Sequence, residues 1–175
     1  MIGWRDNRGV WLTTLAVLLV DQLSKLWVVS RIPPENSIEI IPGFFNLTFV
    51  TNRGIAFGLM PGRTWLFITA SFAAVVLLLL FFTTLDRDER LRRIACAFIL
   101  GGALGNLADR VRLHYVVDFI DLYWQQYHWP AFNVADIAVC LGIGMFLISI
   151  AFEVREERLS GAGPDIEPAH GEEQE

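Results

Sequence analysis

Four aspartates stand within one 28-residue stretch, 109–136, of an otherwise apolar chain. They are Asp109, Asp118, Asp121 and Asp136, and each lies at or near an end of an apolar segment. A charged side chain at the centre of a bilayer costs roughly 2.5–3.5 kcal/mol on insertion scales, and such residues usually mark function. We therefore expect a functional site where these carboxylates gather near a membrane surface.

Paired carboxylates suit acid–base chemistry. Two aspartate side chains about 3 Å apart cannot both ionise, so they share a proton. One can then act as general base on a water molecule while the other donates to a substrate carbonyl. Other chemistries have little support, because the three histidines are scattered and neither of the two cysteines has a nearby base. We predict no metal and no cofactor.

Polar residues earlier in the chain could belong to the same site. Asp21 and Lys25 are one helical turn apart in the favourable acid-first order. They could line a substrate site, or they could form a neutralised pair whose lysine extends outward to water. Asn52 could donate to a substrate carbonyl and Gly54 permits a tight turn, although a plain loop would explain both residues.

A glycine-rich segment precedes the first of the four aspartates. Gly101 and Gly105 form a small-xxx-small face suited to close helix packing. Asn106 and Arg110 follow one turn apart on one side, and Arg110 is permanently charged, so it needs a carboxylate or carbonyl partner. We interpret Asp109 as a structural partner for an arginine rather than as a catalytic residue.

Asn133 and Asp136 also have an explanation without chemistry. An asparagine at an N-cap, followed three residues later by an acid, resembles a capping box at the start of a helix. Such a cap does not explain why Asn106, Asp118 and Asp121 should be delivered to the same side of the membrane. Both interpretations stay open at this point.

The framework that positions these residues is predicted to be an integral membrane protein. The chain is 54% hydrophobic and 19% charged over 175 residues, which is too apolar for an ordinary soluble domain. Four apolar runs each have about the 20 residues needed to cross a hydrocarbon core roughly 30 Å thick. We predict an all-α membrane domain over residues 1–158, with helices at about 10–29, 64–85, 94–113 and 134–152.

The loops add a small β-sheet to this fold. Residues 36–58 are rich in β-branched and aromatic side chains with a Pro-Gly turn, which predicts a sheet, or cradle, on the outer (periplasmic) side. The aromatic residues Trp124, Tyr127 and Trp129 in the next loop suit the lipid headgroup zone. Together the two loops could form a floor and wall beside the helix ends.

Arginine placement predicts the orientation. Arginines precede the first helix, crowd the connection between the second and third, and follow the fourth, so we expect both termini in the cytoplasm and the aspartates outside. The net charge of −5 comes from the end of the chain. Residues 159–175 are predicted to be a disordered acidic tail, and we expect no nucleic-acid partner.

Two other functions fit acids in a membrane protein. A small proton-coupled transporter would distribute its acids across the bilayer depth, whereas these cluster outward apart from Asp21. A non-catalytic assembly factor would use the same motifs only to hold helices together. Cys96 and Cys140 differ too much in predicted depth for a disulfide, and we interpret them as packing residues.

Taken together, five motifs in order resemble the characteristic boxes of bacterial lipoprotein signal peptidase (signal peptidase II). The resemblance covers about residues 8–155 and is specific because all five motifs occur at the expected helix ends. The motifs are Asp21-Gln22-x-Ser24-Lys25, Asn52-x-Gly54-x-Ala56-Phe57, Gly101-Gly102-x-x-Gly105-Asn106-x-x-Asp109-Arg110, Val117-Asp118-Phe119-Ile120-Asp121 and Phe132-Asn133-x-Ala135-Asp136.

The resemblance implies an aspartic endopeptidase of the bacterial inner membrane. Such an enzyme removes signal peptides from diacylglyceryl-modified prolipoproteins, cleaving before the lipidated cysteine, and globomycin-type inhibitors would be expected to act on it. By position, Asp118 and Asp136 would be the catalytic dyad, Asp109 would be structural and Asp121 peripheral. The residues that would line the substrate site or support the dyad are Asp21, Lys25, Asn52, Gly54, Asn106, Arg110 and Asn133.

The helix that Asp136 begins suggests how a shared proton would be placed. The positive end of that helix dipole favours an ionised Asp136, which assigns the proton to Asp118.

Overall fold

Four long helices form the body of the molecule. The computed structural model describes residues 7–54 and 64–159. The helices are α1 (Arg8–Arg31), α2 (Thr64–Thr84), α3 (Arg90–Leu113) and α4 (Val134–Leu159). Each is long and apolar enough to cross a membrane, which confirms the predicted spans.

The helix ends differ from the prediction where charge replaces apolar sequence. α4 continues past residue 152 through the run Glu153–Leu159, because glutamate, arginine and leucine are good helix formers in water as well as in lipid. α3 likewise begins at Arg90 rather than at 94. Hydropathy thus predicted the part of each helix that lies in lipid, and not where the helix ends. The predicted acidic tail lies outside the described residues, apart from Leu159.

Glycines allow α3 to approach both α1 and α4. A Cβ atom on Gly105 would lie 2.4 Å from Asp21 Oδ2 of α1, and one on Gly102 would lie 2.3 Å from the backbone oxygen of Ala135 on α4. On Gly101 the added atom would meet Val17 of α1 at 2.7 Å. The predicted small-residue face is therefore confirmed, and it brings α1 and α4 together around α3.

A four-stranded antiparallel sheet covers one end of the helices. Its strands are β1 (Ser37–Ile41), β2 (Phe45–Asn52), β3 (Val116–Trp124) and β4 (Tyr127–His128), in the order β1-β2-β3-β4. The first two strands lie within the predicted cradle, whose residues 55–58 fall outside the described part of the chain.

The other two strands were not predicted. β3 is buried on both faces over most of its length, so it lacks the alternation that marks a half-exposed strand.

A small apolar core fixes the sheet to the end of α1. Val28 and Ile32 of α1 are each 1% exposed, and they pack with Phe49 of β2 and with Val117 and Phe119 of β3. Between Val117 and Phe119, the side chain of the intervening residue points to the other face of the strand. The strand therefore presents Asp118 away from this core.

Candidate active site

Asn133 connects the two carboxylates of the predicted dyad. Its Nδ2 atom donates to Asp118 Oδ1 at 2.6 Å, and its backbone N–H donates to Asp136 Oδ2 at 3.1 Å. The Asp136 backbone N–H in turn donates to Asn133 Oδ1 at 3.1 Å. The capping box is thus present, and the same asparagine still contacts Asp118. The structural and chemical interpretations of Asn133 are both correct.

Asp118 is held by a second asparagine. The carboxylate is 2% exposed, and its Oδ2 atom accepts from Asn52 Nδ2 at 2.8 Å. The Gly54 backbone N–H donates to Asn52 Oδ1 at 2.9 Å, and Gly54 has a φ of +74° that favours glycine. Gly54 therefore orients the Asn52 amide so that its NH₂ group faces Asp118.

Asp136 is held by a third asparagine. Asn106 Nδ2 donates to Asp136 Oδ1 at 2.9 Å, and Asn106 Oδ1 accepts from Lys25 Nζ at 2.9 Å. Asn133 Nδ2 also approaches Asn106 Oδ1, at 3.3 Å. Because Lys25 occupies the oxygen of Asn106, the amide can only present its NH₂ group to Asp136.

Lys25 is the centre of a separate ion-paired cluster. Its Nζ atom lies 2.9 Å from Asp21 Oδ2 and 3.0 Å from Asp109 Oδ2. The same two carboxylates accept backbone N–H groups, from Ala135 of α4 at 2.9 Å and from Val117 of β3 at 3.2 Å. The interpretation of Lys25 as a lysine extending outward to water is wrong, because it is 3% exposed.

Arg110 is not the partner of Asp109, as the sequence had suggested. Its guanidinium donates to Ser71 Oγ of α2 at 3.3 Å and to the backbone oxygen of Asn106 at 3.4 Å. Successive residues of a helix point in different directions, so Asp109 turns to Lys25 while Arg110 turns to α2. A structural role for Asp109 agrees with this placement, but its partner is a lysine.

A groove between α2, α3 and α4 gives access to Asp136. Its volume is about 300 Å³. Its lining residues are Ser71, Ala74, Ala103, Asn106, Arg110, Asp136, Val139 and Cys140. Cys140 is exposed, so its interpretation as a packing residue is wrong, whereas Cys96 is buried as expected.

Ser71 was not singled out in the sequence. No motif surrounds it, and only the packing of α2 on α3 brings it to Arg110. Gln22 was quoted only as part of a motif, and it donates to Asp109 Oδ1 at 3.0 Å.

The two carboxylates of the site differ in their surroundings from an ordinary surface acid. Burial raises the pKa of Asp118 to about 6; the Asn52 hydrogen bond opposes the rise, the Asp136 charge adds to it, and the Asn133 bond opposes it. Among the residues that the structure describes, neither Asp118 nor Asp136 forms an ion pair. Such a pair can hold one proton near neutral pH, as a general acid and general base require.

Asp121 belongs to a different set of contacts. It accepts from Asn46 Nδ2 of β2 at 2.9 Å, and His128 Nδ1 lies 2.8 Å from its Oδ1 atom. Three residues separate Asp121 from Asp118 along β3, so the two side chains point to opposite faces of the strand. Over residues 7–54 and 64–159, no group of histidine, cysteine, aspartate or glutamate side chains could hold a metal ion.

Comparison with known proteins agrees with this geometry. The family described as "Signal peptidase (SPase) II" matches residues 13–152. A lipoprotein signal peptidase of Syntrophotalea carbinolica is 46% identical, over 76% of this chain and 84% of that protein. One of Geobacter sulfurreducens is 42% identical, over 82% of this chain and 90% of that protein.

Solved structures give the same result. One described as a bacterial membrane enzyme superposes with a TM-score of 0.77 at 30% identity, and covers 85% of this chain and 91% of its own. A second with the same description has a TM-score of 0.74 at 30% identity. The extent of these matches, together with the family match over most of the chain, shows that the chain belongs to the signal peptidase II family.

Proposed function

We propose that this chain is an aspartic endopeptidase that removes signal peptides from diacylglyceryl-modified prolipoproteins, cleaving before the lipidated cysteine during lipoprotein maturation. The observation that carries the proposal is the bonding of Asn133 to both Asp118 and Asp136. It fixes two carboxylates beside each other with amide groups rather than with cations, so one proton can be exchanged between them and a substrate.

The proton positions follow from the surroundings of each carboxyl. Asp118 carries the proton, because its pKa is raised by burial, and Asp136 is ionised at the positive end of α4. Asp136 takes a proton from water, the water oxygen attacks the scissile carbonyl carbon, and Asp118 donates its proton to the carbonyl oxygen. The tetrahedral intermediate then returns a proton to Asp118 while Asp136 protonates the leaving amine and the C–N bond breaks.

The groove beside Asp136 is the proposed path of the signal peptide. Its walls include small apolar side chains such as Ala74 and Ala103, which admit a peptide from the lipid. Arg110, on the same wall, can donate to a substrate carbonyl. We place this end of the molecule at the outer surface of the inner membrane, because the arginine-rich ends of the helices lie at the other end.

Separate substitutions of the dyad test the proposal. Asp118→Asn and Asp136→Asn keep the shape of each side chain but remove its acid–base function, so each should lower cleavage of a diacylglyceryl-modified prolipoprotein about 10²–10⁴-fold or more. The matched control is Asp121→Asn, which changes the same residue type on the same strand and should retain cleavage. Cleavage is measured with purified protein in lipid, and folding is checked by thermal unfolding.

The proposal fails if a folded Asp118→Asn or Asp136→Asn protein still cleaves at the wild-type rate. It fails equally if Asp121→Asn is as inactive as the dyad variants, since the loss would then not be specific to the pair bonded by Asn133.

A further inference from the structure

A second site lies at the opposite end of the helices from the dyad. A cavity of about 530 Å³ opens between the first turns of α1 and α3. Its lining residues are Gly9, Val10, Thr13, Arg87, Arg90, Arg93 and Ile94. This is larger than the groove beside Asp136, and the function proposed above makes no use of it.

The lining of this cavity combines cations with apolar surface. Arg87, Arg90 and Arg93 contribute three guanidinium groups, and none of the described lining residues is acidic. Val10 and Ile94 contribute aliphatic side chains from within the membrane-spanning helices. A ligand that fits must therefore carry negative charge at the helix ends and an apolar part along the helices.

Arg93 is held in place without a carboxylate. Its guanidinium donates to the backbone oxygen of Leu85 at 3.3 Å and to the side chain of Asn7, and it lies 4.9 Å from the centre of the Phe82 ring. Carbonyl, amide and ring contacts orient the cation but leave its charge uncompensated.

The nearby acids are directed to another residue. Glu89 and Glu153 both pair with Arg92, which does not line the cavity. They therefore do not neutralise the guanidinium groups that do. A basic pocket between membrane-spanning helices is a known way for proteins to bind the headgroups of anionic lipids.

We propose that this cavity binds an anionic phospholipid, with its phosphodiester among Arg87, Arg90 and Arg93 and one acyl chain along Val10 and Ile94. The site is separate from the dyad, so it can be tested without measuring peptidase activity. Bidentate guanidinium groups suit phosphate oxygens, and the aliphatic wall distinguishes a lipid from a free phosphate.

Native mass spectrometry of the full-length protein tests the proposal. Protein in detergent is incubated with dioleoyl phosphatidylglycerol or with dioleoyl phosphatidylcholine, and the lipid retained is counted. The wild-type chain should retain one phosphatidylglycerol in preference to phosphatidylcholine. The Arg87→Gln/Arg90→Gln variant should lose this preference, with affinity for phosphatidylglycerol falling about 30-fold at roughly 1 kcal/mol per arginine.

A matched control removes equal charge outside the cavity. Arg155 and Arg158 are exposed on the last turns of α4, beside the first turn of α3, where Arg92 contacts Glu153. Arg155→Gln/Arg158→Gln should keep the wild-type preference. If the double cavity variant does not fold, Arg90→Gln alone carries the test, with an expected loss of about 5-fold.

Three results would overturn the proposal. The cavity variants could retain phosphatidylglycerol as the wild-type chain does, or the α4 control could lose it equally, which would indicate a diffuse surface charge. Inorganic phosphate could displace the lipid completely at equal concentration, which would indicate a phosphate site. The full chain could also retain no lipid while a variant with its tail acids amidated does, which would make the tail the occupant; those acids are Asp165, Glu167, Glu172, Glu173 and Glu175.

Discussion

Two pairs of aspartates lie next to each other in this molecule and are held in opposite ways. Asp21 and Asp109 share the ammonium group of Lys25 at 2.9 and 3.0 Å. Asp118 and Asp136 are instead held by the side-chain amides of three asparagines. The first pair is neutralised by a cation, whereas the second is positioned by neutral groups.

The difference separates a structural pair from a chemical one. A cation at contact distance stabilises two ionised carboxylates, so neither can carry a proton at neutral pH. Amide donors fix the position of a carboxylate at a smaller electrostatic gain, so its pKa can stay raised. Asn106 joins the two systems, because its oxygen binds Lys25 while its nitrogen binds Asp136.

Removing the cation should give the largest effect. Lys25→Met leaves Asp21 and Asp109 buried without a counter-ion, which costs about 3–5 kcal/mol in the free energy of unfolding. Unfolding of the purified protein by a denaturing detergent measures the loss. Arg31→Met, at the exposed end of the same helix, should change stability by less than about 0.5 kcal/mol. Equal stability of the two variants would contradict a neutralised structural pair.

Removing the shared amide should impair catalysis more than stability. Asn133→Ser keeps an N-cap oxygen for α4 but loses the Nδ2 donor to Asp118. A hydrogen bond to a charged group contributes about 1.5–3 kcal/mol, so kcat/KM for prolipoprotein cleavage should fall about 10–150-fold while the melting temperature stays close to that of the wild type.

Asn133→Ala loses the cap as well and should also be less stable, by about 1 kcal/mol. A fully active Asn133→Ser enzyme would show that Asn133 is only a cap.

A smaller effect separates the two asparagine–aspartate pairs of the sheet. The Asn52 hydrogen bond lowers the pKa of Asp118, so Asn52→Ala should raise that pKa further above about 6. Asn46→Ala removes the corresponding amide from Asp121 and should leave the titration of Asp118 unchanged. The pH dependence of kcat/KM in each variant measures the shift, and equal shifts in both would contradict the assignment.

The sign of the effect on stability follows from the same pKa. The pKa of Asp118 is raised in the folded state above its ordinary value of 3.8, so the folded protein binds this proton more tightly. The contribution to stability is complete below about pH 4 and is lost as the pH rises through about 6, by roughly 3 kcal/mol.

The sequence predicted most of the framework but only part of the contacts. The four spans and the first half of the sheet follow from hydropathy and from the composition of residues 36–58. β3 could not be predicted, since burial on both faces removed its alternation. The partner of Asp109 depends on the rotation of α3 against α1, and the place of Ser71 depends on how α2 packs on α3. Neither is encoded in local sequence.

The most direct measurement locates the proton of the dyad. Infrared spectroscopy of carboxyl groups, recorded from pH 4 to 8 on full-length protein, should show one protonated carboxyl that titrates near pH 6. That signal should be absent in Asp118→Asn. It should persist in Asp136→Asn at a lower pH, because the charge of Asp136 raises the pKa of Asp118. A signal that persists in Asp118→Asn and disappears in Asp136→Asn would place the proton on Asp136 and contradict the account.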